Sequence, residues 1–122
     1  MSIRRKIRKR KFEDPRMKAL LLELAKTKSR FWKAIAEKLA RPRRKRVAVN
    51  VSKINRIAKN GDKVVVPGKV LGMGVIEKKV SVIAYDFSEK AKRKIEKAGG
   101  KAILIEEMLK RNPEGKGLKI VV

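Results

Sequence analysis

From Val47 onward the apolar residues of this chain change period repeatedly, and that alternation limits what it can fold into more than any other feature. Val47-Ala48-Val49-Asn50-Val51 alternates with the side-chain period of a strand, and Ser52 stands where it can cap a short helix carrying Ile54 and Ile57. Asn60-Gly61-Asp62 is a turn into a strand from Lys63 to Val66, which Pro67-Gly68 is expected to break. Gly72, Met73 and Gly74 make a loop, and Lys79 to Ala84 is a third strand. Ser88 caps a helix through Ala98 with Ala91, Ile95 and Ala98 on its inner face, and Gly99-Gly100 supplies the stop. Ala102 to Ile105 is strand-like, Glu106 to Lys110 a short helix, and Asn112-Pro113-Glu114-Gly115 turns into a last strand from Lys119 to Val122. Strands and helices in alternation predict a mixed α/β (α+β) domain, not a helical bundle or a pure β barrel.

The residues before Val47 have a different texture. Asp14-Pro15 is a helix start, because Asp accepts a bond from an orphan N–H and Pro at the first helical position loses nothing. Met17, Leu20, Leu21 and Leu24 then form one apolar stripe; Ser29 can cap a second helix whose stripe is Trp32, Ile35, Ala36 and Leu39, and Pro42 prevents its continuation. The pair is expected to form a hairpin docked on the rest of the protein, with Lys18, Lys26, Lys28, Lys33 and Lys38 turned to solvent or to a partner. Met1 to Lys11 is too charged to fold alone. The predicted organisation is a basic N-terminal arm over 1–13 and a single globular domain over 14–122, divided into a basic helical hairpin (14–46) and an α/β core (47–122). With 122 residues the chain can bury about 65% of its unfolded surface.

Charge points to the partner. The formal net charge is +24, and 19 of the 36 Lys and Arg precede Val47 against four of the 12 acids. Two runs concentrate it: Arg4, Arg5, Lys6, Arg8, Lys9, Arg10 and Lys11, then Arg41, Arg43, Arg44, Lys45 and Arg46. Charges this close lie inside a Debye length of about 8 Å and repel with little screening, which a dense polyanion relieves. If roughly eight of them pair with phosphates, log affinity falls with log salt at a slope near −7 on a duplex. A solubilising or nuclear-import tail is the bland alternative. Only Phe12, Phe31, Trp32, Tyr85 and Phe87 are aromatic, and Trp32 sits on an apolar stripe, so base stacking contributes little. Ile3 and Ile7 give too little apolar area for membrane insertion, and no apolar run approaches 18 residues, so no membrane partner is expected.

Nothing reads as an active site, and no cofactor, metal or small-molecule substrate is expected. The chain has no Cys and no His, which removes thiolate metal sites and the usual proton shuttle. Glu106 and Glu107 are adjacent on a helix and point about 100° apart, while Glu13-Asp14 suits a helix start. Pro67-Gly68-Lys69-Val70-Leu71-Gly72-Met73-Gly74 lacks Walker spacing, since no Ser or Thr follows Lys69 and two of its three glycines come after it. Two readings of it remain: a backbone that approaches a folded nucleic acid with Lys69 reaching a phosphate, or a tight turn needing positive φ.

Val49-Asn50-Val51-Ser52-Lys53-Ile54-Asn55-Arg56, Val64-Val65-Val66-Pro67-Gly68-Lys69-Val70-Leu71-Gly72, Phe87-Ser88 through Lys94-Ile95, Ala98-Gly99-Gly100 and Asn112-Pro113-Glu114-Gly115 together resemble the L-eighteen-e family of large-ribosomal-subunit proteins, found in archaea and eukaryotes and related to the bacterial large-subunit protein fifteen. The resemblance runs in order from Asp14 to Val122. The length and the abundance of Lys and Glu without Gln look archaeal. It implies an irregular β-β-α type domain with a basic helical segment, a non-enzymatic structural role in the cytoplasmic ribosome, and partnership with large-subunit ribosomal RNA and neighbouring ribosomal proteins. By analogy Lys53, Arg56 and Lys69 join the two basic runs as RNA contacts. Composition alone also permits a DNA-compacting or general nucleic-acid-binding protein.

Overall fold

The computed structural model describes residues 15–41 and 47–122. The Asp14 cap and the cations from Arg4 to Lys11 and from Arg43 to Arg46 lie outside the described residues. The described elements are α1 (Pro15–Lys26), α2 (Arg30–Leu39), β1 (Val47–Asn50), α3 (Val51–Ile57), β2 (Lys63–Leu71), β3 (Ser81–Phe87), α4 (Glu89–Lys97), β4 (Lys101–Leu104), α5 (Ile105–Arg111) and β5 (Lys119–Ile120). The strands form one wholly parallel sheet in the order β1-β2-β3-β4. β5 shares the β1 edge of β2, pairing Val64 and Val65 while β1 pairs Gly68 to Leu71. The mixed α/β class is as expected, and the β-β-α order survives as β2, β3 and α4 inside this parallel sheet.

Alternation along the strands divides the core in two. Val65, Ile83 and Ile103 turn to one face, where Met17, Leu20, Leu21, Leu24, Trp32, Ile35, Ala36 and Leu39 of the hairpin and Ile105 and Met108 of α5 cover them. Val64, Val66, Val70, Val82 and Ala84 turn to the other, under Val51 and Ile54 of α3, Ala91 and Ile95 of α4, and Ile76 and Val80 of the connection 72–80. The stripes read from the sequence are the buried residues of α1 and α2. No charged or polar side chain is buried among the described residues.

Local signals hold at the helix ends. Ser29 Oγ accepts from Trp32 N–H at 3.4 Å, and Ser88 Oγ accepts from Ala91 N–H at 3.1 Å. After α4, Gly99 N–H donates to Glu96 O and Gly100 N–H to Ile95 O, both at 3.0 Å, the paired bonds of a Schellman stop. The predicted Ser52 cap is corrected: α3 starts at Val51 with Asn50 at the cap position and no side-chain cap bond, so Ser52 lies in the first turn. The third strand lies later than expected, at Ser81–Phe87.

The second correction concerns Pro67-Gly68, which does not end its strand. β2 continues to Leu71, and the register with β3 shifts between Val66 and Lys69, so the proline without an N–H falls where the ladder is already broken. Gly68 does not have positive φ. A Cβ there would sit 1.9 Å from the Val47 carbonyl oxygen, so the glycine is required by the close approach of β1.

Candidate nucleic-acid interface

The hairpin orients the molecule. Next to Pro15, Arg16 bridges to the C-terminal ends of β3 and β4: its Nε donates to Glu106 at 2.9 Å, another guanidinium nitrogen donates to Glu106 at 3.2 Å and also to the Tyr85 carbonyl, and the group lies 4.0 Å above the Tyr85 ring centroid. At the other end of α1 the three residues 27–29 turn the chain back. Ser29 Oγ donates to Glu114 O at 2.8 Å, and Trp32 Nε1 donates to Asn112 O at 2.8 Å, so this loop is tied to the turn after α5. A connection this short returns α2 alongside α1. Pro15 and Arg41, the described residues next to the two basic runs, therefore sit at the same end of the hairpin, and Val47 re-enters opposite Gly68 in the C-terminal half of β2.

The family-analogy residues divide between the two faces. Val49 and Val70 point to the α3/α4 side, which leaves their neighbours Ala48 and Lys69 on the hairpin side. Lys69 is exposed there, in register with Asp86, on the half of β2 that Val47 pairs. Lys53 and Arg56 lie on α3, across the sheet from it. Lys53 Nζ donates to the Val122 carbonyl, whereas Arg56 is exposed without a described partner. The structure thus brings Lys69 and Arg41 to one side and separates them from Lys53 and Arg56.

The glycine loop is used internally. Gly74 has φ +88°, and a Cβ on it would meet the Ser52 side chain at 2.4 Å; a Cβ on Gly72 would meet Lys90 Cβ at 2.8 Å. Lys94 Nζ donates to Gly72 O at 2.7 Å and to Gly74 O, clamping the loop on α4. Asn55 Oδ1 accepts from Glu77 N–H at 3.0 Å and Lys78 N–H at 3.2 Å, and Asn60 Oδ1 accepts from Lys79 N–H at 2.8 Å. Side chains thereby satisfy the backbone of a crossover that has no helix of its own. The sequence reading missed Lys94 and Asn55. The available signal was a lysine three residues after Ala91, at the margin of the inner stripe of α4.

The C-terminal end of the sheet also carries Asp86, Glu89, Glu106 and Glu107. Partial burial opposes the charge of Arg16, and the hydrogen bond and charge of Glu106, helped by Tyr85 and Asp86, more than offset it, so its pKa is raised. Asp62 is held below the usual carboxylate range, first by the Lys59 N–H it accepts at 2.9 Å and then by the Lys119 ammonium at 3.2 Å. Among the described residues no three His, Cys, Asp or Glu gather to hold a metal, and no helix is long and apolar enough to cross a membrane.

Comparison with known proteins agrees with the resemblance read from the motifs. The large ribosomal subunit protein eL18 of Archaeoglobus fulgidus is 55% identical over 103 residues, 84% of this chain and 88% of that protein. Its counterpart in Methanococcus maripaludis is 50% identical over 81% of this chain and 82% of its own length. That of Methanothermobacter thermautotrophicus is 41% identical over 94% and 98%. A family model described as ribosomal protein 60S L18 and 50S L18e matches residues 3–121, nearly the whole sequence with both basic runs, and the chain belongs to that family.

Proposed function

We propose that this protein is a structural, non-catalytic constituent of the cytoplasmic large ribosomal subunit that binds ribosomal RNA by neutralising its phosphates, beside neighbouring ribosomal proteins. The observation that carries the reading is the hairpin geometry: the short turn 27–29 leaves Pro15 and Arg41 at the same end of the hairpin, and Val47 re-enters opposite Gly68, next to exposed Lys69, on a sheet stiffened by two apolar layers. On this reading Arg4, Arg5, Lys6, Arg8, Lys9, Arg10 and Lys11 act as an arm before the globular part, and Arg41, Arg43, Arg44, Lys45 and Arg46 as a basic connection, both neutralising phosphates where RNA strands crowd. Arg56 and Lys69 add contacts on opposite faces. Lys53 gives one of its three N–H donors to the Val122 carbonyl and keeps two for a phosphate.

Sedimentation of a cell lysate probed for this chain tests the class, with co-migration with large subunits at high magnesium as the expected result. Equal-salt competition between folded large-subunit RNA and duplex DNA tests the ligand, and stronger retention on DNA would point to compaction instead.

A further inference from the structure

Five of the lysines that neither the basic runs nor the family analogy claims gather at the opposite, N-terminal end of the sheet. Three turns meet there, 59–63, 78–81 and 97–101, and they are stitched to one another. Gly61 N–H donates to Lys79 O at 2.7 Å, Ser81 N–H to Asp62 O at 3.0 Å, and Lys101 N–H to Val80 O at 3.2 Å. The Lys79 stem passes over Gly99, about where a Cβ on that glycine would meet it at 3.6 Å. Lys63, Ser81 and Lys101 occupy one register row across three strands, so the two lysines flank Ser81 at roughly 10 Å by the usual strand spacing.

Lys59, Lys63, Lys79, Lys97 and Lys101 are all exposed, and none of their ammonium groups forms an ion pair. Asp62, the acid inside these turns, is engaged with Lys119. The C-terminal end of the sheet differs in mixing the acids Asp86, Glu89, Glu106 and Glu107 with the cations Arg16, Lys69 and Lys90. The three turns expose no aromatic or large apolar side chain, so they lack the desolvated anchor of a protein interface. The hydrogen-bonded turns fix the backbone positions from which these lysines extend, so their flexible stems deliver several cations to one small area.

We propose that this lysine edge is a second phosphate-binding face, and that the protein holds two RNA segments at once, one at each end of its sheet. The identity of the ligand rests on the ribosomal RNA reading above. The two ends face away from each other along the strands, so one straight duplex cannot occupy both.

The test is a bridging assay with the full chain: a tagged RNA duplex on a surface, the protein, and a dye-labelled RNA duplex in solution. Wild-type protein is expected to recruit the second duplex. The combined variant Lys63→Gln, Lys79→Gln, Lys101→Gln is expected to unfold at the wild-type temperature and still bind the first duplex, while recruitment of the second falls roughly tenfold or more and its salt slope flattens by about 2–3 units. Unchanged recruitment by that variant would overturn the proposal, as would lysine-dependent capture of polyglutamate equal to that of the duplex. A wild-type protein that binds the first duplex and never the second sinks the two-face proposal alone. One that binds no RNA sinks the ribosomal reading with it.

Discussion

Gly68 shows how a single residue answers to something distant in the chain. The sequence reading left its glycine to a turn or to the approach of a nucleic acid, whereas the cause is the Val47 carbonyl 21 positions earlier, 1.9 Å from where a Cβ would lie. That atom is backbone within a paired strand and cannot yield cheaply. Gly68→Ala should therefore destabilise the protein by about 3 kcal/mol or more through strain and lost β1 pairing, read as a lower urea midpoint. A wild-type midpoint would remove the close-approach argument. Asp62 makes a pH-dependent contribution. Its folded pKa is depressed, so its stabilisation is fully present above the unfolded carboxylate value of about 3.9 and is lost as pH falls through the folded value. Asp62→Asn should lower the midpoint at about pH 6, and that deficit should shrink as pH falls through the folded value and the wild-type carboxylate takes up its proton. A deficit independent of pH would show that its charge is irrelevant.

At the scale of elements, whatever depends on neighbours within a turn or two was legible. The stripes of α1 and α2, the Ser29 and Ser88 caps and the Gly99-Gly100 stop follow from local spacing and orphan backbone groups, and each is present. Ser29 does more than cap, because its hydroxyl also donates to Glu114 O and ties the hairpin loop to the turn after α5. Ser29→Ala should cost about 1–2 kcal/mol, more than an isolated cap in a peptide, measured by thermal or urea unfolding. A loss of only a few tenths would mean the tie to Glu114 is immaterial. The connection 72–80 was less legible: a helix-free crossover is held by Asn55, Asn60 and Lys94 from three other segments, and no period in its own residues announces them.

For the whole molecule, electrostatics decides function. Replacing Arg41, Arg43, Arg44 and Arg46 by Ala should flatten the salt dependence of RNA binding by about 3–4 units and leave the unfolding temperature nearly unchanged. An unaltered slope would place this connection off the interface. The cationic excess, the α/β class and the absence of Cys and His follow from the sequence by itself, because net charge, periodicity and residue type are properties of the chain before it folds. Only the tertiary structure decided that Lys69 and Arg56 lie on opposite faces, that Pro67 belongs inside a strand, and that lysines from three separate turns form one edge. Those facts depend on which strand pairs with which and in what register, and pairing joins residues that no local pattern relates.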